Sequence, residues 1–232
     1  MRFTGANVQI RSGAGASWGT GDDDSPDVNG LGNLIIGYDE DDENDKTGSH
    51  NLVVGPYHTY SQAGGLVAGF NNTASGSYAS VTGGSENIAS ETNSSVAGGQ
   101  LNVASGDHAT ITGGQGNKSS GFTTSVSGGR FNVASVAYAS VSGGDSNKAT
   151  GDRSSASGGG SNQATNSFAW TGGGLANLAS GNYSVVSAGR NNIANGNETS
   201  VSGGRDNLAS AEEATVSGGE ALVADVEKSH LP

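Results

Sequence analysis

Small apolar residues recur at fixed intervals along most of this chain. An asparagine occupies every fifteenth position from Asn72 to Asn207, ten times in succession, without an insertion or deletion. If this asparagine is called position one of a coil, position three is Ala in nine coils and position ten is Val in seven. Position twelve is Gly in nine coils and position thirteen in all ten. The consensus N-x-A-S-G-x-x-A-S-V-S-G-G-x-x therefore defines a repeat over residues 72–221.

A coil of this length suits two short strands and two turns. Helical repeats need about 33 to 47 residues, so the period excludes them. Residues 109–112 alternate as a strand does, with positions eight and ten expected to point inward and seven, nine and eleven outward. Ser-Gly at positions four and five and Gly-Gly at twelve and thirteen mark the turns, because Gly adopts positive φ at little cost. The sequence predicts an all-β parallel β-solenoid whose coils pair about 4.8 Å apart.

The asparagine at position one has two structural interpretations. In stacked coils the amides lie above one another and can form a hydrogen-bonded ladder. Asparagine also tolerates the left-handed turn conformation better than most residues. The predicted ladder consists of Asn72, Asn87, Asn102, Asn117, Asn132, Asn147, Asn162, Asn177, Asn192 and Asn207.

Position two carries an apolar stripe that predicts self-association. The inward groups of one coil are only Ala, Ala or Ser, and Val, which is a thin core for ordering a whole coil. A long exposed apolar ridge is also unusual in a soluble monomer. We therefore expect a homotrimer that buries the stripe around a threefold axis, although Lys118, Lys148 and Gln163 interrupt it. The candidate interface residues are Ile88, Val103, Val133, Leu178, Ile193 and Leu208.

The segments that flank the repeat are less regular. In residues 1–71, acidic Gly-rich loops at 19–32 and 39–48 separate short apolar runs, which predicts an irregular N-terminal β cap over the open edge of the first coil. After Gly219 the pattern decays, and Leu222 replaces the expected Asn. Residues 222–232 are predicted to be a charged C-terminal tail.

Composition and charge exclude several classes of binding partner. The net charge of −12 repels nucleic acid and anionic membranes, so neither nucleic-acid binding nor direct membrane contact is expected. No apolar run is long enough to span a membrane. The N-terminus also lacks the basic region followed by an apolar one that marks a signal peptide, so no signal peptide is expected. The chain has 41 Gly and no Cys, which removes disulfides and thiol chemistry.

Candidate chemistry is sparse. The acidic runs at 22–24 and 39–45 offer oxygen ligands for Ca²⁺, but neither has the spaced D-x-D-x-D-G pattern, so solvated loops are the preferred interpretation. His50 and His58 lack a third placed zinc ligand, and packing in the cap is preferred for them. No catalytic motif occurs, and Ser has no recurring His or acidic partner. The sequence predicts no enzyme activity, no metal and no cofactor.

Two outward rows remain as possible binding surfaces. Positions nine and eleven are each Ser or Thr in eight coils, which resembles the arrays of insect antifreeze β-helices. Only one coil has a Thr pair, and Trp170 and Val185 interrupt the rows, so ice binding is the alternative function rather than the leading one. Aromatic residues at position seven could contact sugars or protein, or simply cover the strand face. They are Tyr78, Tyr138, Phe168 and Tyr183.

The coil itself resembles that of a known family. N-x-A-S-G-x-x-A-S-V-S-G-G, as in residues 72–84 and 102–114, is similar to the head repeats of YadA-like trimeric autotransporter adhesins. The resemblance implies a left-handed parallel β-roll that trimerises, lies outside the cell or on its surface, and binds host matrix protein or a surface glycan. A roll of this kind is equally suited to act as a rigid structural spacer. The family's coil is usually one residue shorter, with a single Gly where this chain has two.

Overall fold

A computed structural model describes residues 9–11, 28–38, 40 and 43–232 of the chain. Throughout these described ranges the regular elements are β-strands. No helix in them is long and apolar enough to cross a membrane. The all-β class expected from the 15-residue period is confirmed.

The strands form two parallel sheets, named sheet A and sheet B here, that face each other along the whole solenoid. Sheet A has 14 strands and sheet B has 12. The strands of sheet A, in order, are β1 (Leu34–Ile36), β2 (Leu52–Val54), β4 (Leu66–Ala68), β6 (Ser80–Val81), β8 (Ser95–Val96), β10 (Thr110–Ile111), β12 (Ser125–Val126), β14 (Ser140–Val141), β16 (Ser155–Ala156), β18 (Trp170–Thr171), β20 (Val185–Val186), β22 (Ser200–Val201), β24 (Thr215–Val216) and β26 (His230–Leu231).

Sheet B takes the other strand of each coil. Its strands are β3 (Thr59–Tyr60), β5 (Thr73–Ala74), β7 (Ile88–Ala89), β9 (Val103–Ala104), β11 (Lys118–Ser119), β13 (Val133–Ala134), β15 (Lys148–Ala149), β17 (Gln163–Ala164), β19 (Leu178–Ala179), β21 (Ile193–Ala194), β23 (Leu208–Ala209) and β25 (Val223–Ala224). Equivalent residues of successive coils pair in register, as in Ser125 with Ser140 and Ala134 with Ala149. The chain is therefore a parallel β-solenoid, and its sequence period is its structural period.

The coils just before Asn72 are regular, although an irregular N-terminal cap was predicted, and they are shorter than the later coils. Leu52 pairs with Leu66, and Leu66 with Ser80, so these are 14-residue coils. Each of them has one Gly where later coils have two, and Gly69 is the equivalent of Gly84, because Phe70 pairs with Ser85. Among the described coils, only the step from Leu34 to Leu52 is longer than the later ones, and it includes the acidic run of the sequence at 39–48.

The core consists of small side chains between the two sheets. Position three contributes alanines such as Ala134, and position ten contributes valines such as Val141, both essentially inaccessible to solvent. Position eight alternates mostly between Ala and a hydroxyl residue, and the buried hydroxyl finds a partner in its own coil: Ser154 Oγ donates to Gly151 O at 2.7 Å. The predicted inward positions are correct, and the position-eight hydroxyls are paired locally. Thr171, which replaces the usual Val at position ten, is the exception, because its Oγ1 is buried without a hydrogen-bond partner.

Of the two predicted turns, only the Gly-Gly turn uses glycine for its positive φ. Gly99, at position thirteen, has φ 88°, and a Cβ there would overlap the carbonyl oxygen of Gly114 in the next coil. In the other turn the left-handed residue is not the Gly at position five but the residue at position seven, such as Tyr78 (φ 59°) or Tyr138 (φ 58°). Position fifteen is left-handed as well, as in Phe131 (φ 55°).

Residues 222–232 extend the solenoid instead of forming a separate tail. Val223 pairs with Leu208 in sheet B, and His230 pairs with Thr215 in sheet A. Leu222 occupies position one, and its backbone N–H donates to Asn207 Oδ1 at 2.9 Å. The side chain of Leu222 does not continue the row of amides, because leucine has no hydrogen-bonding group.

Candidate functional site

The position-one asparagines form a buried, continuous hydrogen-bonded ladder. In Asn147, which is inaccessible to solvent, the backbone N–H donates to Asn132 Oδ1 at 2.9 Å. Its Nδ2 donates to Gly143 O at 2.8 Å and to Gly159 O at 3.0 Å, one in the preceding coil and one in its own. Its Oδ1 accepts from the N–H of Asn162 at 2.9 Å. Each amide thus joins three coils and satisfies buried backbone groups that would otherwise be costly.

His58 begins this ladder, one shorter coil before Asn72. Its ring is fully buried, and Nδ1 accepts from Asn72 N–H at 3.1 Å. Nε2 lies 3.1 Å from Val54 O, the carbonyl four residues back, which each ladder asparagine also uses. The two bonds require a neutral ring with its proton on Nε2. Sequence comparison with the 15-residue period missed this role, because the coils before Asn72 are one residue shorter.

The position-two residues lie on the outer face of sheet B. Ile88 and Ile193 are half-buried, and Lys118 and Lys148 are exposed on either side of Val133. The stripe therefore has two apolar blocks, one at its N-terminal end and one over the last four coils. The second block pairs in register through Leu178, Ile193, Leu208 and Val223.

The outer face of sheet A carries the Ser/Thr rows at positions nine and eleven. Thr110 and Thr112 are both exposed. Trp170 lies across the rows: its Nε1 donates to Ser157 Oγ at 3.0 Å, and a Cβ on Gly172 would lie 2.9 Å from the ring. The one Gly at position eleven thus makes room for the one Trp at position nine, and together they divide the rows into two parts.

The position-seven aromatics do not cover a strand face. Tyr138, Phe168 and Tyr183 form an exposed column along the turn, together with Phe122 from position six, whereas Tyr78 is half-buried and lies four coils before Tyr138. Arg153 lies between two of them, with Cζ 5.1 Å from the ring centroid of Tyr138 and 5.5 Å from that of Phe168. Phe168 and Tyr183 stack with centroids 4.7 Å apart. These rings contact one another or Arg153 along the solenoid axis, and each remains more than 40% exposed, so the column presents aromatic surface to solvent.

Charged residues make short contacts between neighbouring coils on the opposite corner. Arg130 at position fourteen hydrogen-bonds Asp145 of the next coil, with its Nε 2.9 Å from Oδ2. The hydrogen bonds from Ser146 and from Arg130 lower the pKa of Asp145 below its usual value. Arg205 and Glu220 form a similar exposed pair. Exposed pairs of this kind add little stability and mark no reactive centre.

The metal candidates can be placed only in part. The acidic run at 22–24 and residues 39, 41 and 42 of the second run lie outside the described residues. Asp45 accepts hydrogen bonds from the N–H and the hydroxyl of Thr47. His58 uses both ring nitrogens in the ladder, so it has no lone pair for zinc. Among the described residues, no group of three or more His, Asp and Glu side chains could hold a metal ion.

Comparison with known protein families and with curated proteins adds no relative to this description. No family model matches the chain, and no curated protein matches it. What the structure provides is a parallel β-solenoid with one buried ladder and two contrasting outer faces.

Proposed function

We propose that this protein is a non-enzymatic head of the extracellular space or the cell surface, acting in adhesion or as a rigid spacer. The observation that carries the proposal is the unbroken ladder from His58 to Leu222. A rod in which every coil is bonded to both neighbours by strands and by a buried amide resists bending and local unfolding. Such a rod suits the presentation of surfaces at a distance rather than the closure of an active site.

The proposed working unit is a homotrimer whose subunits meet through the outer face of sheet B. The apolar blocks at position two support it, since Ile193 and Leu208 are held side by side on a face that no further layer of the described chain covers. The Gly row at position twelve gives a second argument. A Cβ on Gly98 or Gly113 would meet nothing within 4 Å, yet nine of ten coils have Gly there. A neighbouring subunit that approaches this row closely would explain why side chains are absent.

The resemblance to YadA-like adhesin heads supports the same proposal. The family's usual coil is one residue shorter than the 15-residue repeat, and the coils before Asn72 have that shorter length and a single Gly. The second Gly of the later coils is then an insertion at position twelve into an otherwise similar coil. On this proposal the roll is left-handed, and surface glycans or matrix proteins are its partners.

Light scattering coupled to size-exclusion chromatography tests the trimer. A chain of 22.8 kDa is expected to elute with a mass three times larger. Ile193→Lys, which puts a charge into the apolar block, should give the monomer mass. Ser200→Lys, on the outer face of sheet A, is the matched control and should keep the trimer mass. A wild-type mass of one chain at micromolar concentration would contradict the proposal.

Ice binding is the second candidate, favoured by Thr110 and Thr112, which are both exposed on the outer face of sheet A in one coil. Trp170 covers part of the same face, and most of the row is Ser, which lacks the methyl group. Thermal hysteresis and ice-crystal shaping by the purified protein would support this function. A melting and freezing point that coincide, with unshaped crystals, would exclude it.

A further inference from the structure

A polar hollow of about 310 Å³ lies beside the turn that follows sheet B. It is formed by positions four to six of three successive coils, at the junction between the 14-residue coils and the 15-residue coils. Its lining consists of Gln62, Ser75, Gly76, Ser77, Ser90, Glu91 and Thr92. The hollow is therefore built by a single chain, at the place where the coil length changes.

The walls of the hollow are exceptions to the repeat. Position five is Gly in six of the ten 15-residue coils, whereas Gln62 and Glu91 place long side chains there, two coils apart. At the strand spacing this separates the two walls by about 10 Å. Gly76 lies between them, and a Cβ on it would overlap the carbonyl oxygen of Glu91. The same close approach of the next coil's backbone recurs at Gly106 and Gly151, so the two long side chains, and not the glycine, distinguish this place from the equivalent turns.

The polar groups of the walls are not used within the fold. Neither the Gln62 amide nor the Glu91 carboxylate has a hydrogen bond or ion pair with another side chain in the described part of the chain. Their backbone carbonyls accept from Asn51 Nδ2 and Ser94 Oγ, which fixes the main chain beneath them. The walls thus present free hydrogen-bonding groups on a main chain that is fixed beneath them.

The chemistry of the lining selects the ligand. Four hydroxyls both donate and accept, the Gln62 amide does the same, and the Glu91 carboxylate accepts from two donors. Among the residues that the structure describes, no cation lines the hollow, so an anionic ligand would be repelled, and no apolar side chain lines it, so an apolar ligand gains nothing. The volume is at the lower end of the range for small-molecule sites, about 300 to 1,000 Å³.

We infer that this hollow binds a single neutral pyranose residue of a glycan. A pyranose carries hydroxyls around a ring and can engage both walls and the rim together, which an amine with one charged end cannot do. The inference deepens the adhesive part of the proposed function and does not depend on the trimer. Mass in solution tests the trimer and sugar binding tests the hollow, so the two can fail separately.

Saturation-transfer NMR with the methyl pyranosides of glucose, galactose and mannose tests the inference. At least one should receive saturation from the wild-type protein and compete with the others. Glu91→Gly restores the residue common at position five and should weaken binding about tenfold, since it removes a charged acceptor. Ser77→Phe, with a ring that position six accommodates as Phe122, should block the hollow.

Glu212→Ser is the matched control, because it removes one negative charge from position six of a remote coil and should leave the dissociation constant unchanged. If Ser77→Phe unfolds, Glu91→Gly still decides the question. The inference is overturned if no glycoside receives saturation at millimolar concentration, or if Glu91→Gly binds as the wild type does. Tighter binding of butylammonium than of every glycoside would overturn it as well.

Discussion

Replacing Asn192 by Ala removes one rung of the ladder and should cost far more than the same change at its neighbour. Asn192 is fully buried; its Nδ2 donates to Ala188 O and Gly204 O, both at 3.0 Å, and its Oδ1 accepts from Asn207 N–H at 3.0 Å. Three hydrogen bonds at about 1 kcal/mol each are lost, and the N–H of Asn207 is left buried without a partner. The expected decrease in the free energy of unfolding is about 3 to 5 kcal/mol.

Asn191 provides the matched control. It is exposed, its Nδ2 donates only to Asp206 Oδ1 at 2.9 Å, and Ala176 occupies the equivalent left-handed position in the preceding coil. Asn191→Ala should therefore lower the free energy of unfolding by about 1 kcal/mol or less. The comparison uses adjacent residues of the same type and charge, of which only Asn192 belongs to the buried ladder.

Urea unfolding followed by circular dichroism measures both variants. Asn192→Ala should shift the midpoint strongly toward lower urea, and amide hydrogen exchange at Asn207 should become faster. Because solenoids can unfold by parts, the exchange measurement reports the broken rung even if the transition broadens. Equal midpoint shifts for Asn191→Ala and Asn192→Ala, with unchanged exchange at Asn207, would refute the ladder as a source of stability.

Three further substitutions test other parts of the account. Gly99→Ala should lower the free energy of unfolding by about 3 kcal/mol or more, because the added Cβ would overlap Gly114 O. Gly98→Ala places its Cβ in open space and should leave the thermal midpoint of the monomeric chain nearly unchanged. His58→Asn should keep most of the stability, since Asn occupies the same place in later coils. His58→Ala should lower the melting temperature, and similar melting curves for the two variants would contradict the role of the ring. Arg153→Ala should cost about 1 kcal/mol through lost contacts with two rings, and a chemical denaturation curve identical to that of the wild type would count against the column.

The sequence predicted the solenoid well because the same constraints act in every coil. Ala134 and Val141 must be small to fit between two sheets, and Gly129 must lack a Cβ because the next coil passes so close. Because these constraints recur in ten coils, the resulting pattern can be recognised in the sequence alone. The strands, their inward positions and the pairing of neighbouring coils follow from it.

Other features depend on contacts that a single coil does not encode. Tyr138 at position seven adopts a left-handed conformation, but position seven varies from coil to coil, so no residue type marks it. His58 replaces an amide by an imidazole in a coil of different length, which hides the equivalence. The hollow arises from Gln62 and Glu91, which belong to different coils and flank one space only after the coils stack. The trimer remains a prediction from the apolar blocks.

The central claim, that equivalent residues of successive coils stack in register, can be tested by cross-linking because the chain has no Cys. Ser140 and Ser155 pair in sheet A with their hydroxyl oxygens 3.2 Å apart. Neighbouring strands place their Cα atoms about 4.8 Å apart, within the range of a disulfide. The double variant Ser140→Cys with Ser155→Cys should form an intramolecular disulfide on mild oxidation, detected by intact mass as the loss of two hydrogens. Ser140→Cys with Ser157→Cys, two positions out of register, should stay reduced, and the opposite result for the two variants would contradict the solenoid.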